Sequence, residues 1–439
     1  MDGEAYPPAP KGPDKTPIRV VLITLDRQLE AAVARAANAL RKDLPGLTLT
    51  FHAAVDWDRM PGALDRCKAD IAKADFIVAS MLFIEPHIEA VLPDLLARRE
   101  HCDAIAGCLA ATDVVKLTKL GRFRMDKPES GPISLLKKLR GSKDKAKAGA
   151  AQARTLRRLP KLLRYIPGTA QDVRAYFLTM QYYLAGSDEN VANLVRFMVN
   201  RYASGERVHL RGTLDVGAPS EYPDVGVYHP TLKGRVSEDA DRLPFAASDR
   251  PRIGLLLMRS YILSGDTGHY DGVIKAMEDA GLSVVPAFAS GLDSREAVRA
   301  FFMHEDGTAK VDAIVSLTGF SMVGGPAYND AGAAADLLDT LDVPYLSAQA
   351  LEFQSLEEWR QNSQGLTPIE STMMVAIPEL DGATGPIVFG GRADTADGTL
   401  RMQSCPERTA MLARRVAKLA RLRRTPASER KIAITLFNF

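Results

Sequence analysis

From Gly254 to Asp330 the chain repeats one rhythm: an apolar run of strand length, a polar loop containing glycine, then a stretch of helical spacing. GLLLM leads into RSYILSGDTG and HYDGVIKAMEDAG. LSVVPAFA leads into SGLD and a second helical pattern. VDAIVSLTG leads into FSMVGGPAYND. Runs this apolar must be buried on both faces, as the strands of a parallel sheet covered by helices are. The loops at the carboxyl ends of such strands leave on one edge, where ligands of open α/β sheets bind. In this chain they carry Arg259, Ser260, Tyr261, Asp266, Thr267, His269, Tyr270, Thr318, Ser321 and Tyr328. Polar groups gathered over an apolar sheet need solvent, one another or a ligand as partners. The pattern therefore predicts a crevice in which Asp266, Thr267, His269 and Tyr270 meet Thr318, Ser321 and Tyr328, with Arg259 beside them.

The same alternation opens the chain. IRVVLITL, LTLTFHAAV, ADFIVASMLF and CDAIAGCLA read as strands, and helical patterns over residues 27–42, 61–73 and 86–99 separate them. The fold class is α/β: two doubly wound, mostly parallel-sheet units joined by a basic linker and a helical segment. The expected boundaries are a disordered, Pro-rich tail 1–17, an amino-terminal α/β domain 18–125 and a basic linker 126–165. A helical and irregular connecting segment 166–250, a second α/β domain 251–425 and the start of a further domain 426–439 follow. Residues 170–202 read as two helices split by GSDEN, with Ser187 or Asp188 as cap of the second. VPYLSAQ supplies another strand, MMVAIPELDGATGPIVFGG a later strand and loop, residues 406–424 a helix, and residues 431–439 a new strand.

Charge narrows the function classes. The chain has 56 Lys and Arg against 54 Asp and Glu, so nothing global favours nucleic acid. Residues 116–164 hold sixteen Lys and Arg against Asp126, Glu129 and Asp144. This is either an electrostatic dock for an acidic partner or for nucleic acid, or a solvated, protease-sensitive connection. No run of 18 apolar residues exists, so no membrane span is expected. Cys67, Cys102, Cys108 and Cys405 are scattered, which fits reduced thiols and a cytoplasmic setting.

Familiar catalytic signatures are missing. There is no GxxxxGK[ST] phosphate loop, no GxGxxG, no HExxH and no GxSxG. No metal site is readable. His269, in SGDTGHYDG, has two readings: a neutral imidazole contacting a ligand or metal, or a cap bonded to the loop backbone. Asp266 is either a general base or a helix cap. Arg259 and Arg392 can each bind a carboxylate in bidentate fashion, or form internal ion pairs.

Several long strings resemble the large (H) subunit of magnesium chelatase and, more distantly, the large subunit of cobaltochelatase. They are LLLMRSYILSGDTGHYDGVI, PAFASGLD, VSLTGFSMVGGPAYND, PIESTMMVAIPELDGATGPIVFGGR and ERKIAITLFNF, with KADFIVASMLFIE and VVKLTKLGRF nearer the start. The resemblance runs from residue 18 onward and covers about the first third of a family member. It implies a porphyrin-binding subunit of an ATP-dependent complex that inserts Mg2+ into protoporphyrin IX in (bacterio)chlorophyll biosynthesis. AAA+ ATPase and adaptor subunits would be the partners, with Mg2+ and ATP used by the full complex and no cofactor held tightly by this chain. The residues usually assigned to metal insertion map beyond Phe439, so the alternatives are a cobaltochelatase large subunit or a non-catalytic scaffold that binds tetrapyrrole or partners. A Rossmann oxidoreductase fits the sheet rhythm but lacks the fingerprint.

Overall fold

The computed structural model describes residues 15–436 except 58, 127–158, 221, 326–327 and 396–399, and excludes the Tyr328 side chain. Most of the expected tail and basic linker lies outside the described residues. The chain divides into two compact units, one from residues up to Tyr222 with Leu263–Gly265, the other from Pro223–Ile262 and Asp266 onward. Both are α/β with largely parallel sheets.

In the first unit, β1 (Ile18–Thr24), β2 (Leu47–Ala53), β3 (Phe76–Ser80) and β4 (Ala104–Cys108) form a parallel sheet of order β2-β1-β3-β4. The antiparallel pair β5 (Lys119–Leu120) and β6 (Phe123–Arg124) extends it. Alternation along β1 sorts the core. Ile18, Val20 and Leu22 face α1 (Glu30–Leu40) and two later helices, while Val21 and Ile23 face α2 (Ala63–Ile71) and α3 (Glu85–Arg99). The short α4 (Thr112–Lys116) follows β4.

Those later helices are α5 (Thr169–Ala185) and α6 (Asp188–Tyr202), and Ser187 Oγ caps α6 by accepting from Asn190 N at 3.2 Å. Tyr176, Phe177, Met180 and Met198 are core residues packed over β1, β3 and β4. The segment 166–250 therefore does not stand apart. Its helices bury an apolar face that no free-standing linker could cover, and they complete the first unit.

The second unit is built on an eight-stranded sheet. Its antiparallel edges are β7 (Val225–Tyr228) and β8 (Val236–Ser237) on one side and β16 (Leu400–Ser404) on the other. Its parallel centre is β9 (Arg252–Met258), β10 (Ser283–Ala289), β11 (Ala313–Ser316), β14 (Tyr345–Ser355) and β15 (Thr384–Asp394). The spatial order is β16-β15-β14-β11-β9-β10-β7-β8. One face is covered by α7 (Arg259–Ser264), α8 (Gly268–Asp279) and α12 (Pro406–Arg424), the other by α9 (Arg295–Phe301) and α10 (Ala331–Leu341). β12 (Gly324–Gly325) pairs with β13 (Tyr328–Asn329), and α11 (Leu356–Gln361) follows β14.

The strand expected within MMVAIPELDGATGPIVFGG is β15, in its second half, and the strand expected over 431–439 is absent as far as residue 436. MMVAIPEL is helical: Pro368–Glu370, a π-helical turn Ser371–Ala376, and Ile377–Leu380. Residues 430–436 have no regular structure, and Ile432, Ile434 and Leu436 are exposed. A strand needs a neighbour for its backbone hydrogen bonds, and among the described residues none is paired with 430–436.

All four cysteines are free and buried; burial pushes the Cys67 and Cys108 thiols up to about 12 and the Cys102 thiol to about 11. No described helix is long and apolar enough to cross a membrane.

Gly107 in β4 tests this packing. A Cβ there would sit 2.0 Å from the Val114 carbonyl oxygen. Its own N–H and C=O are both bonded to the buried Thr118 hydroxyl, at 3.0 and 3.1 Å. Gly107→Ala should cost about 1–3 kcal/mol by overpacking, read as a lower urea midpoint with unchanged slope. An unchanged midpoint would mean that α4 does not press on β4 this way.

Candidate functional site

In a sheet of order 2-1-3-4, the first connection leaves to one side of the first strand and the next to the other. A crevice opens at that switch, at the carboxyl ends of the first and third strands. In the first unit this is the gap between β1 and β3, and the chain fills it. The Tyr183 hydroxyl from α5 lies 2.8 Å from Thr24 Oγ1 at the end of β1. Burial raises the Tyr183 phenol above its ordinary value, so it stays protonated.

In the second unit the switch lies between the ends of β9 and β11. α7 begins directly after β9, so Arg259, Ser260 and Tyr261 are placed there by the backbone alone. Arg259 Nε donates to the Pro223 carbonyl at 3.0 Å. Ser260 Oγ is buried without a hydrogen-bond partner. The buried Tyr261 donates its hydroxyl to Glu352 Oε1, and Glu352 Oε2 accepts from Arg392 Nη2 at 3.4 Å. Glu352 and Arg392 reach the site because β14 and β15 run past the ends of β9 and β11. β11 stops at Ser316, opposite Ser347, whereas β14 continues to Ser355. Arg392 is 5% exposed, and its Nη1 has no partner.

The loop after α7 serves packing. Asp266 Oδ1 accepts from Met402 N at 3.1 Å, which ties the loop to β16. Asp266 is thus neither the side-chain cap of α8, whose N-cap is Thr267, nor exposed as a base would be. Thr267 Oγ1 donates to Asp271 Oδ2 at 3.2 Å and lies 2.9 Å from the Tyr228 hydroxyl. Tyr228 in turn donates to Asp271 Oδ1 at 2.5 Å, and Arg235 Nη2 pairs with Oδ2 at 3.0 Å. The Tyr270 hydroxyl accepts from Met258 N at 3.1 Å and pins the end of β9.

His269 fits neither sequence reading. It is fully buried, and neither ring nitrogen has a hydrogen-bond partner. Its ring lies 3.8 Å from Tyr270, 5.0 Å from Tyr261 and 5.9 Å from Phe389, stacked on the last. Burial, and then the Arg392 charge, hold it well below 6.5, so it is a neutral ring in an aromatic cluster. Its fate depends on β15, more than a hundred residues downstream, where Gly390 leaves room for the His269 Cβ.

Thr318 and Ser321 belong to a different cluster. Thr318 Oγ1 lies 2.9 Å from Ser316 Oγ and accepts from Phe320 N at 3.2 Å, closing a tight turn. Ser321 Oγ donates to Asp381 Oδ1 at 3.0 Å, and Met322 N donates to Oδ2 at 2.7 Å. Burial pushes the Asp381 carboxyl above its usual range, against these two bonds. Met322 packs in the core under α9 and α10, while the ring neighbours of His269 pack in the core under α8 and α12. The hydrogen bonds of Thr318 and Ser321 thus go to Ser316, Phe320 and Asp381, and those of Asp266, Thr267 and Tyr270 to Met402, Tyr228, Asp271 and Met258. Tyr328 contributes only described backbone, paired with Gly325. The sequence reading missed Glu352, Asp381, Tyr228 and Asp271, which all have partners distant in sequence, Asp271 having the nearby Thr267 as well. Among the described residues no group of three His, Cys, Asp or Glu side chains is arranged to hold a metal ion.

Comparison with known proteins gives the family. A family profile described as CobN/Magnesium Chelatase matches residues 180–439. The chain belongs to that family. A second profile, a domain of unknown function (DUF3479), matches residues 19–177. The magnesium-chelatase H subunit of Cereibacter sphaeroides is 48% identical over 445 aligned residues, covering 98% of this chain and 37% of that protein. That of Rhodobacter capsulatus is 46% identical, covering 96% and 36%. The chain thus spans about a third of the length of these relatives. The catalytic subunit of cobaltochelatase from Mycobacterium tuberculosis shares the fold, with a TM-score of 0.51 and 19% identity over 93% of this chain and 28% of that one.

The sealed imidazole makes stability depend on pH. Unfolded His269 takes up a proton near pH 6.5, and the folded protein refuses it until far lower pH. Its contribution is therefore complete above 6.5 and declines below it, by about 1.4 kcal/mol per pH unit. His269→Phe should lose this dependence, so urea unfolding of the two proteins should diverge from about pH 6.5 downward. Parallel pH profiles would show that His269 is solvated.

Proposed function

We propose that this chain is the amino-terminal part of the porphyrin-binding large subunit of an ATP-dependent magnesium chelatase, which inserts Mg2+ into protoporphyrin IX in (bacterio)chlorophyll biosynthesis. The observation that carries the reading is the 48% identity to a magnesium-chelatase H subunit over nearly the whole chain. Magnesium is favoured over cobalt because the Cereibacter and Rhodobacter relatives, at 48% and 46% identity, are magnesium-chelatase subunits. In this reading AAA+ ATPase and adaptor subunits supply the ATP hydrolysis, and the complex works in the cytoplasm.

Insertion requires removal of two pyrrole protons and dehydration of Mg2+, which gives up water reluctantly. A general base for the first step has to reach the pyrrole N–H. In the second unit the candidate groups are committed elsewhere: His269 is sealed, and Asp266, Asp271 and Asp381 hold backbone or hydroxyl partners. The role proposed for this part of the large subunit is accordingly to bind and orient porphyrin, with the chemistry carried by residues outside it.

Titration of the chain with protoporphyrin IX tests this, followed by absorbance and by quenching of protein fluorescence. Saturable, equimolar binding is expected, with no magnesium protoporphyrin formed when ATPase partners, Mg2+ and ATP are added. Quenching that never saturates would sink the binding role. Metalation by the chain with its partners would overturn the division of labour.

A further inference from the structure

We propose that a cavity in the first unit, between α6 and the loop that follows it, binds a small organic carboxylate with a flat apolar body. The inference does not depend on the chelatase reading. The cavity is an open one of about 520 Å³, lined by Phe197, Asn200, Arg201, Arg211, Gly212 and Val216. That is within the size range of small-molecule sites, about 300–1,000 Å³.

The walls divide by chemistry. Phe197 and Val216 supply the apolar side. Asn200 is spent on the loop itself: its Nδ2 donates to the Leu214 carbonyl at 2.6 Å, and its Oδ1 accepts from Leu214 N at 2.9 Å. This fixes the loop and leaves the Arg211 guanidinium, beside the Asp172-paired Arg201, as the main polarity offered to a ligand. Arg211 uses its Nε on the Ala203 carbonyl at 2.6 Å, which orients the guanidinium and leaves its two terminal nitrogens over for the cavity. Arg201 is held by Asp172 at 3.0 Å and by the Tyr202 hydroxyl at 3.1 Å. Gly212, at φ +70°, has nothing within 4 Å of where a Cβ would stand, so the backbone leaves that side of the cavity open.

Positive charge here exceeds what the protein neutralises. Asp172 pairs with Arg201 but also accepts from Arg122 N and Tyr202. Burial, and then the charges of Arg164 and Arg201, lower the pKa of the neighbouring Arg174. A planar carboxylate matches a guanidinium fork edge to edge, and a flat body places apolar surface on Phe197. A bare inorganic anion would leave the Phe197–Val216 wall unused.

The test uses pyrene-1-butyrate as a fluorescent probe of the 439-residue chain, with the neutral pyrene-1-butanol as control. Equimolar saturation by the acid is expected, at least about tenfold tighter than the alcohol. Arg211→Gln should weaken binding of the acid by about tenfold and leave the alcohol unaffected. Val216→Trp, which fills the cavity without touching a charge, should abolish binding of the acid. Circular dichroism and Tm check folding, and if Arg211→Gln unfolds, Val216→Trp decides. No saturable binding, equal affinity for acid and alcohol, or an unchanged affinity in Val216→Trp would overturn the proposal. So would displacement by inorganic phosphate as effective as that by benzoate, because the site would then be a simple anion site.

Discussion

Strand β9 is paired in parallel with β10 on one side and β11 on the other, and both of its faces are buried. A strand so enclosed can offer only its ends to function, and every neighbour must accommodate it. Gly254 shows how tight the accommodation is: a Cβ there would stand 2.7 Å from the Phe302 ring. Alternation along β9 sends Leu255 and Leu257 to one core and Leu256 to the other. The helices that follow successive strands are divided between those cores in the same way. Just past β11 the chain contributes Leu317 to the core that holds Tyr261 and Tyr270, and Met322 to the other.

Carboxylates in this unit act as struts. Asp266 holds β16, Asp381 holds the turn after β11, and the fully buried Glu370 accepts from Gln354 and from the Thr367 backbone and hydroxyl. Each satisfies buried donors that would otherwise cost about 1–3 kcal/mol apiece. A carboxylate committed in this manner is poorly placed to exchange protons with a ligand. The proposed division between a binding and orienting part and a chemical part located elsewhere follows from that commitment.

The sequence makes the local part of this architecture plain. IRVVLITL, ADFIVASMLF and the run ending at Met258 are strands because β-branched and apolar residues at strand length leave few alternatives, and Ser187 caps α6 through a bond three residues away. What it conceals is long-range. FGGR has the composition of a flexible loop but lies inside β15, where Gly390 and Gly391 admit the Gln403 carbonyl and Leu351 at distances no side chain tolerates. His269 has a loop residue's neighbours in sequence and a core residue's neighbours in space. MMVAIPEL is apolar enough for a strand, yet capping by Thr367 and Glu370 starts a helix there. The cationic cavity is invisible in the sequence because Arg201 and Arg211 are ordinary there and gain meaning only from the loop that Asn200 folds back.

Tyr183 fills the crevice that the first sheet would otherwise present, and it is tethered to the same chain as Thr24. The phenol is in this sense a resident ligand whose supply never varies. A tethered group faces its site at an effective concentration of order millimolar or higher. A dissolved competitor at micromolar levels would have to bind about a thousandfold better per encounter merely to draw level. The switch point of the first sheet is thereby a joint in the scaffold.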